Sequence, residues 1–128
     1  MDALTINEAA RTTGWSPRML RYIERAGLLV LRRSAGGYRL YGAEQLQRLR
    51  TLRELLDRFG FGLAELGFAR RLRTEPALAR AVDDWFETEP ARPAGVEPDD
   101  WLRWEQEKHE ALLAAAATTN TTYQLETA

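Results

Sequence analysis

The chain has no cysteine, one histidine (His109), one lysine (Lys108) and five prolines, three of them between Pro90 and Pro98. Without thiols there is no disulfide framework, thiolate metal site, cysteine-ligated iron–sulfur cluster or cysteine nucleophile. A solitary histidine with no cysteine beside it does not make a metal site. No apolar run approaches the roughly 20 residues that span a bilayer, and no basic segment followed by an apolar one opens the chain. Neither a membrane helix nor a secretory signal is expected, so the sequence predicts a cytoplasmic protein. Also missing are a nucleophile paired with a base, a phosphate-binding glycine loop and a metal-ligand cluster, which argues against catalysis and against a cofactor.

At 128 residues, 45% hydrophobic and 29% charged, the chain has the composition of a globular domain with a core of ordinary size. The net charge of -1 hides two opposite halves. Residues 1–60 hold eleven arginines against six acids, a balance of +5, whereas residues 76–128 hold four bases against eleven acids, a balance of -7. Such polarity fits a front that meets a polyanion and a back that avoids it.

Thr5 and Glu8 form a capping-box signature, predicting a first helix over 6–12 that Gly14 ends. Ser16 is an N-cap and Pro17 stands at the first helical position, so a second helix follows after a tight turn, with Gly27 closing it. Leu20 and Ile23 face inward in this helix while Arg18, Arg21 and Arg25 project outward. Leu28–Leu31, Arg32–Gly37 and Tyr38–Tyr41 read as two strands about a glycine-centred turn, a wing. Leu46, Leu49, Leu52, Leu56 and Phe59 keep helical spacing over 43–59. Further helices are predicted over 63–73, carrying Leu63, Leu66, Phe68 and Leu72, and over about 76–87. The segment 89–98 is a proline-rich loop. A last helix is expected from Trp101 to about Ala117, with an extended, flexible tail from Thr118. The fold class is therefore mainly α: a winged helix-turn-helix with a two-stranded wing over residues 1–75, and short C-terminal helices over 76–128.

An α-helix fits the major groove of B-form DNA, and arginines at its N-terminal end reach guanine edges or phosphates. Arg18 and Arg21 share one helix face, and Tyr22 adds a hydroxyl and a flat ring. In the wing, Arg33 and Arg39 flank Gly36-Gly37, where the backbone can approach a phosphate closely. Tyr38 and Tyr41 can brace the hairpin or touch the sugar-phosphate chain. Each piece alone is a common surface feature; their order and short connections form the signal.

Four segments, Leu4–Ala10, Leu20–Leu29, Gly37–Tyr41 and Leu46–Leu66, together resemble the MerR family of bacterial transcription regulators in its N-terminal winged helix-turn-helix domain. The resemblance covers about residues 4–73. It implies that Arg18, Arg21, Tyr22 and Arg39 contact double-stranded promoter DNA, with Tyr38 and Tyr41 shaping the wing contact. It also implies a homodimer on a pseudo-palindromic site in the nucleoid, acting indirectly on RNA polymerase by bending and untwisting the promoter. The chain departs from the family pattern at Ile23, where a second aromatic is common, and at Pro90, Pro93 and Pro98. These prolines interrupt the region of the usual dimer helix, so a dimer is expected to use shorter helices or another arrangement.

Trp85, Phe86, Trp101 and Trp104 lie close in sequence among acids. They read first as a small core or dimer seam, and alternatively as an aromatic pocket for a cationic or planar effector. Two other functions stay open: an architectural or recombination-accessory DNA-binding protein without an effector, and a ligand- or protein-binding module that DNA merely places.

Overall fold

The first helix, α1 (Ile6–Thr13), starts where the capping box predicts: Thr5 Oγ1 accepts from the Glu8 backbone N–H at 3.2 Å and Glu8 Oε1 accepts from the Thr5 N–H at 2.9 Å. These two bonds satisfy donors that the first turn leaves without helical partners. The computed structural model describes the backbone of residues 3–62 and 67–127, and the side chains of those as far as Ala117. Gly14, at φ 83°, ends α1 in the left-handed region. The buried guanidinium of Arg53 then covers that end, donating to the Thr13 carbonyl at 2.9 Å.

Helix α2 (Pro17–Arg25) follows, with Ser16 Oγ accepting from the Met19 N–H at 3.0 Å. It closes around Gly27 at φ 79°, where the Gly27 N–H reaches the Glu24 carbonyl and the Leu28 N–H reaches that of Ile23. This paired closure suits glycine because no Cβ opposes the left-handed backbone. Leu20 and Ile23 are fully buried, as their spacing predicts.

The wing consists of β1 (Arg32–Arg33) and β2 (Arg39–Leu40), antiparallel, with Arg33 opposite Arg39. Its first strand lies after the apolar run 28–31 and not within it. Leu29 is buried and Leu28 and Leu31 pack partly against the core, so that run serves as an anchor while the arginines form the ladder. After β2, Tyr41 exchanges both backbone hydrogen bonds with Leu4, at 2.7 and 2.8 Å, which pins the wing root to the segment before α1.

Helix α3 (Ala43–Arg58) is the central element. The Gly42 N–H is satisfied by Gln45 Oε1 at 2.9 Å, and Leu46, Leu49, Leu52, Leu55 and Leu56 are buried along it. Of the helix predicted over 63–73, the structure describes α4 (Phe68–Thr74); Leu63 and Leu66 lie outside the described residues. Helix α5 (Pro76–Glu87) matches the predicted span and buries Leu78, Val82 and Trp85 in the same apolar cluster as the first helices.

The proline-rich segment is strapped to α3. The Gln47 amide donates to the Ala91 carbonyl at 2.6 Å and accepts from the Ala91 N–H at 2.8 Å. Arg48 donates to the carbonyls of Trp85 and Phe86, each at 2.9 Å, and of Thr88, gathering the acceptors at the end of α5.

A short 3-10 turn, Pro98–Asp100, leads into α6 (Trp101–Thr127), which packs on α3 and α1. The expected end near Ala117 and the extended chain after it are corrected: the backbone is helical to Thr127. Alanines 114–117 favour the helix, and no glycine or proline follows to stop it. Once a helix is nucleated, each threonine costs at most about 0.7 kcal/mol relative to alanine. The prolines therefore precede a 27-residue helix instead of excluding one.

Candidate nucleic-acid interface

Capping by Ser16 and closure at Gly27 fix α2 as a short, rigid rod whose buried side is Leu20 and Ile23. Arg18, Arg21 and Arg25 are exposed on it, and none has a side-chain hydrogen bond or ion pair among the described residues. Spacings of three and four place them on one side of the helix. Tyr22 is half-buried, with its ring edge-to-face against Phe68 at 6.0 Å; Phe68 in turn meets Phe61 at 5.6 Å. Its ring thus joins α2 to α4 while its position beside Arg21 keeps it at the margin of the basic face.

The wing arginines are arranged differently. Glu24 on α2 accepts from Arg39 Nε at 2.5 Å and from an Arg33 terminal nitrogen at 3.1 and 3.3 Å. Another Arg33 nitrogen donates to the Gly37 carbonyl at 3.3 Å, so Arg33 ties the wing turn to α2. That turn is built by Ser34, whose hydroxyl accepts from the Tyr38 N–H at 3.1 Å, and by Gly37 at φ 84°. Tyr38 is 74% exposed at the tip, and its ring lies so close to Gly36 that an added Cβ there would sit 3.1 Å from it.

Tyr41 is corrected as a surface contact. Its side chain is fully buried and its hydroxyl has no hydrogen-bond partner among the described residues, so its part in the wing is to brace it from beneath. Burial, aided by the Glu24 carboxylate and opposed by Arg39, Arg21 and Arg33, pushes its pKa up to about 12. The phenol stays neutral at any physiological pH.

Chemically, α2 and β1 offer four exposed guanidinium groups with no partner among the described residues, those of Arg18, Arg21, Arg25 and Arg32. Beside them stand a braced hairpin and an exposed aromatic tip. Arginine forks match phosphate oxygens and guanine edges in two-point geometry.

The C-terminal aromatics do not converge on one pocket. Trp85 lies on the Arg48 side of α3, its ring 4.3 Å from that guanidinium and its Nε1–H bonded to the Thr51 hydroxyl at 2.9 Å and the Arg48 carbonyl at 3.1 Å. Phe86, 48% exposed, flanks the same arginine. Trp104 instead lies beside Arg50, its ring 5.3 Å from the guanidinium, and Trp101 donates at 3.1 Å to Glu105, the carboxylate that pairs with Arg50. Positions 48 and 50 are about 200° apart around a helix, so α3 separates the two pairs. An open groove does run between α3 and α5, with Leu55, Ala81 and Trp85 among its lining residues.

Three contributors escaped sequence reading. Glu24 carried a signal, being the one acid among seven arginines between Glu8 and Glu44. Arg48 and the Glu105–His109 pair, which depend on contacts across more than thirty positions, carried none. Among the described residues no cluster of three or more His, Asp or Glu side chains could hold a metal ion, and no helix is long and apolar enough to cross a membrane.

Residues 4–67 match the family model described as MerR HTH family regulatory protein. The chain is 43% identical over 65 residues to an HTH-type transcriptional regulator of Pseudomonas aeruginosa, covering 50% of this chain and 48% of that protein. It is 40% identical over 70 residues to the nodulation protein NolA of a Bradyrhizobium species, 54% of this chain and 29% of the relative. Over 64 residues it is 36% identical to the HTH-type transcriptional regulator HmrR of Sinorhizobium medicae, 49% of this chain and 43% of the relative. The matched segment thus spans half or less of each relative's length.

Proposed function

Because the chain belongs to the MerR HTH family of regulatory proteins, we propose that it is a sequence-specific transcription regulator that grips double-stranded promoter DNA through α2 and the wing. The observation that carries this reading is the set of exposed arginines on α2 with no partner among the described residues, next to a hairpin whose Arg33 and Arg39 are tied to that helix. In this reading Arg18 and Arg21 enter the major groove, Tyr22 touches the groove edge, and Arg39 and Tyr38 meet the backbone of the neighbouring strand. Arg33 supports the wing more than it contacts DNA. The protein acts as a homodimer on a two-fold related site, distorting the promoter so that RNA polymerase engages it differently.

An effector bound by the four C-terminal aromatics loses support, because they are divided by α3 and Trp85 is committed to the core. The test is binding to a promoter duplex as salt is raised. Each phosphate neutralised contributes about 0.9 to the slope of log affinity against log salt. Affinity should fall steeply, and Arg21→Ala should weaken it further; an Arg21→Ala protein that binds as tightly as wild type would contradict the assignment of that residue.

A further inference from the structure

The recognition helix and the wing belong to different elements, and a DNA-binding pair of this kind works only if their separation and angle are held. Glu24 supplies the link. It stands near the end of α2 with its side chain 16% exposed, and two of the three wing arginines, Arg33 and Arg39, from opposite strands of the hairpin, end on its one carboxylate. Partial burial of the ions leaves them less screened by salt than exposed pairs are.

The two arginines use different nitrogens. Arg33 gives terminal nitrogens to Glu24 and to the Gly37 carbonyl, so it is spent as a strut. Arg39 gives only Nε to Glu24, and its terminal nitrogens have no partner among the described residues. A guanidinium is a rigid plane, so anchoring Nε fixes where the outer fork points.

We infer that Glu24 is a positioning residue for DNA recognition: it locks the wing against α2 and aims the free fork of Arg39 at a backbone phosphate. This rests on the DNA-binding reading above. It makes a prediction opposite in sign to simple electrostatics. A carboxylate near a polyanion repels it, so Glu24→Gln should tighten binding to every duplex if charge alone mattered. If Glu24 aims Arg39, the same change weakens binding to the preferred duplex.

The experiment uses the full chain, a duplex selected by the wild-type protein from a randomised pool, and an unrelated duplex of equal length, with anisotropy titrations at several salt concentrations. Glu24→Gln is expected to lose on the order of tenfold on both duplexes, the scale of one fixed charged contact, because a phosphate contact carries no sequence information. Arg39→Ala should lose a similar amount, and the double variant should lose less than the sum of the two single changes, because the carboxylate acts in part through that arginine. Arg39→Lys, which keeps the charge and the strand but cannot divide into an anchored nitrogen and a free fork, should weaken the selected duplex as Glu24→Gln does. Wild-type or tighter binding by Glu24→Gln, additive losses in the double variant, or full affinity in Arg39→Lys would each overturn the inference while leaving DNA binding intact. A wild-type protein that selects no duplex would instead overturn the DNA-binding reading, and this inference with it.

Discussion

His109 donates its Nε2–H to the Leu46 carbonyl oxygen across 2.8 Å, joining α6 to α3 in a fully buried contact. A carbonyl only accepts, so Nε2 carries the proton, and Nδ1 is left buried with no partner among the described residues. The groups that act on the ring electrostatically are Glu105 from α6 and Arg50 and Arg53 from α3.

This contact predicts acid sensitivity. Burial lowers the His109 pKa, outweighing the opposing effects of the Leu46 bond and Glu105. The unfolded chain, with its histidine near 6.5, therefore binds a proton before the folded one does. The contribution of neutral His109 is complete above that value and is lost as pH falls from it toward the lower folded value. Thermal melts at pH 7.5 and 5.5 should show a drop in Tm that Glu or Asp titration does not account for, and His109→Gln should reduce the drop. An unchanged pH dependence in the variant would refute the assignment.

Glu105 tests the same seam by charge. It is fully buried and accepts from Arg50 Nε at 2.6 Å. Burial disfavours the Arg50 cation, but the hydrogen bond and charge of Glu105 overcome this and raise its pKa. Arg50 keeps its ion pair with Glu54 at 3.2 Å, so removing Glu105 should cost about 1–3 kcal/mol, less than leaving a buried charge with no partner. Glu105→Ala should shift the urea midpoint accordingly, while Glu105→Gln, which still accepts a bond, should cost less.

Arg48 gives a third prediction. Arg48→Met keeps the length of the side chain but removes the donors to the carbonyls of Trp85, Phe86 and Thr88. The Trp85 bond is half-buried and the other two are exposed, so the loss should be about 0.5–1.5 kcal/mol, the net range of an ordinary hydrogen bond. Tryptophan emission should shift to the red as the Trp85 indole gains water; emission and stability both unchanged would show that the strap contributes nothing.

The core can be probed at Leu49, fully buried in the middle of α3. Leu49→Ala should cost about 2–5 kcal/mol, the usual range for a large-to-small change at a buried leucine. Chemical denaturation monitored by circular dichroism measures it, and a loss under 1 kcal/mol would mean that the site collapses to fill the cavity.

Most of the winged module was legible because its determinants are local. The Thr5–Glu8 box, Ser16-Pro17, Gly27 and the leucine spacing of α3 act within a few residues, and the caps and buried face were found where those signals put them. The first wing strand was misplaced because an apolar run reads equally as strand or as anchor, and only tertiary packing of Leu29 decides. The end of α6 was misplaced because a threonine-rich tail looks weakly helical alone, whereas propagation from Trp101 onward needs no strong former. Tyr41 and the four C-terminal aromatics were identified as chemistry-bearing residues, but their burial and separation depend on where α3 runs.

The most direct test of the account is selection of duplexes from a randomised pool by the wild-type protein at near-physiological salt. The account predicts enrichment of one sequence motif with two-fold related halves, lost when Arg18 and Arg21 are both changed to alanine. A bound pool with the same sequence statistics as the input would contradict sequence-specific recognition by α2 and the wing.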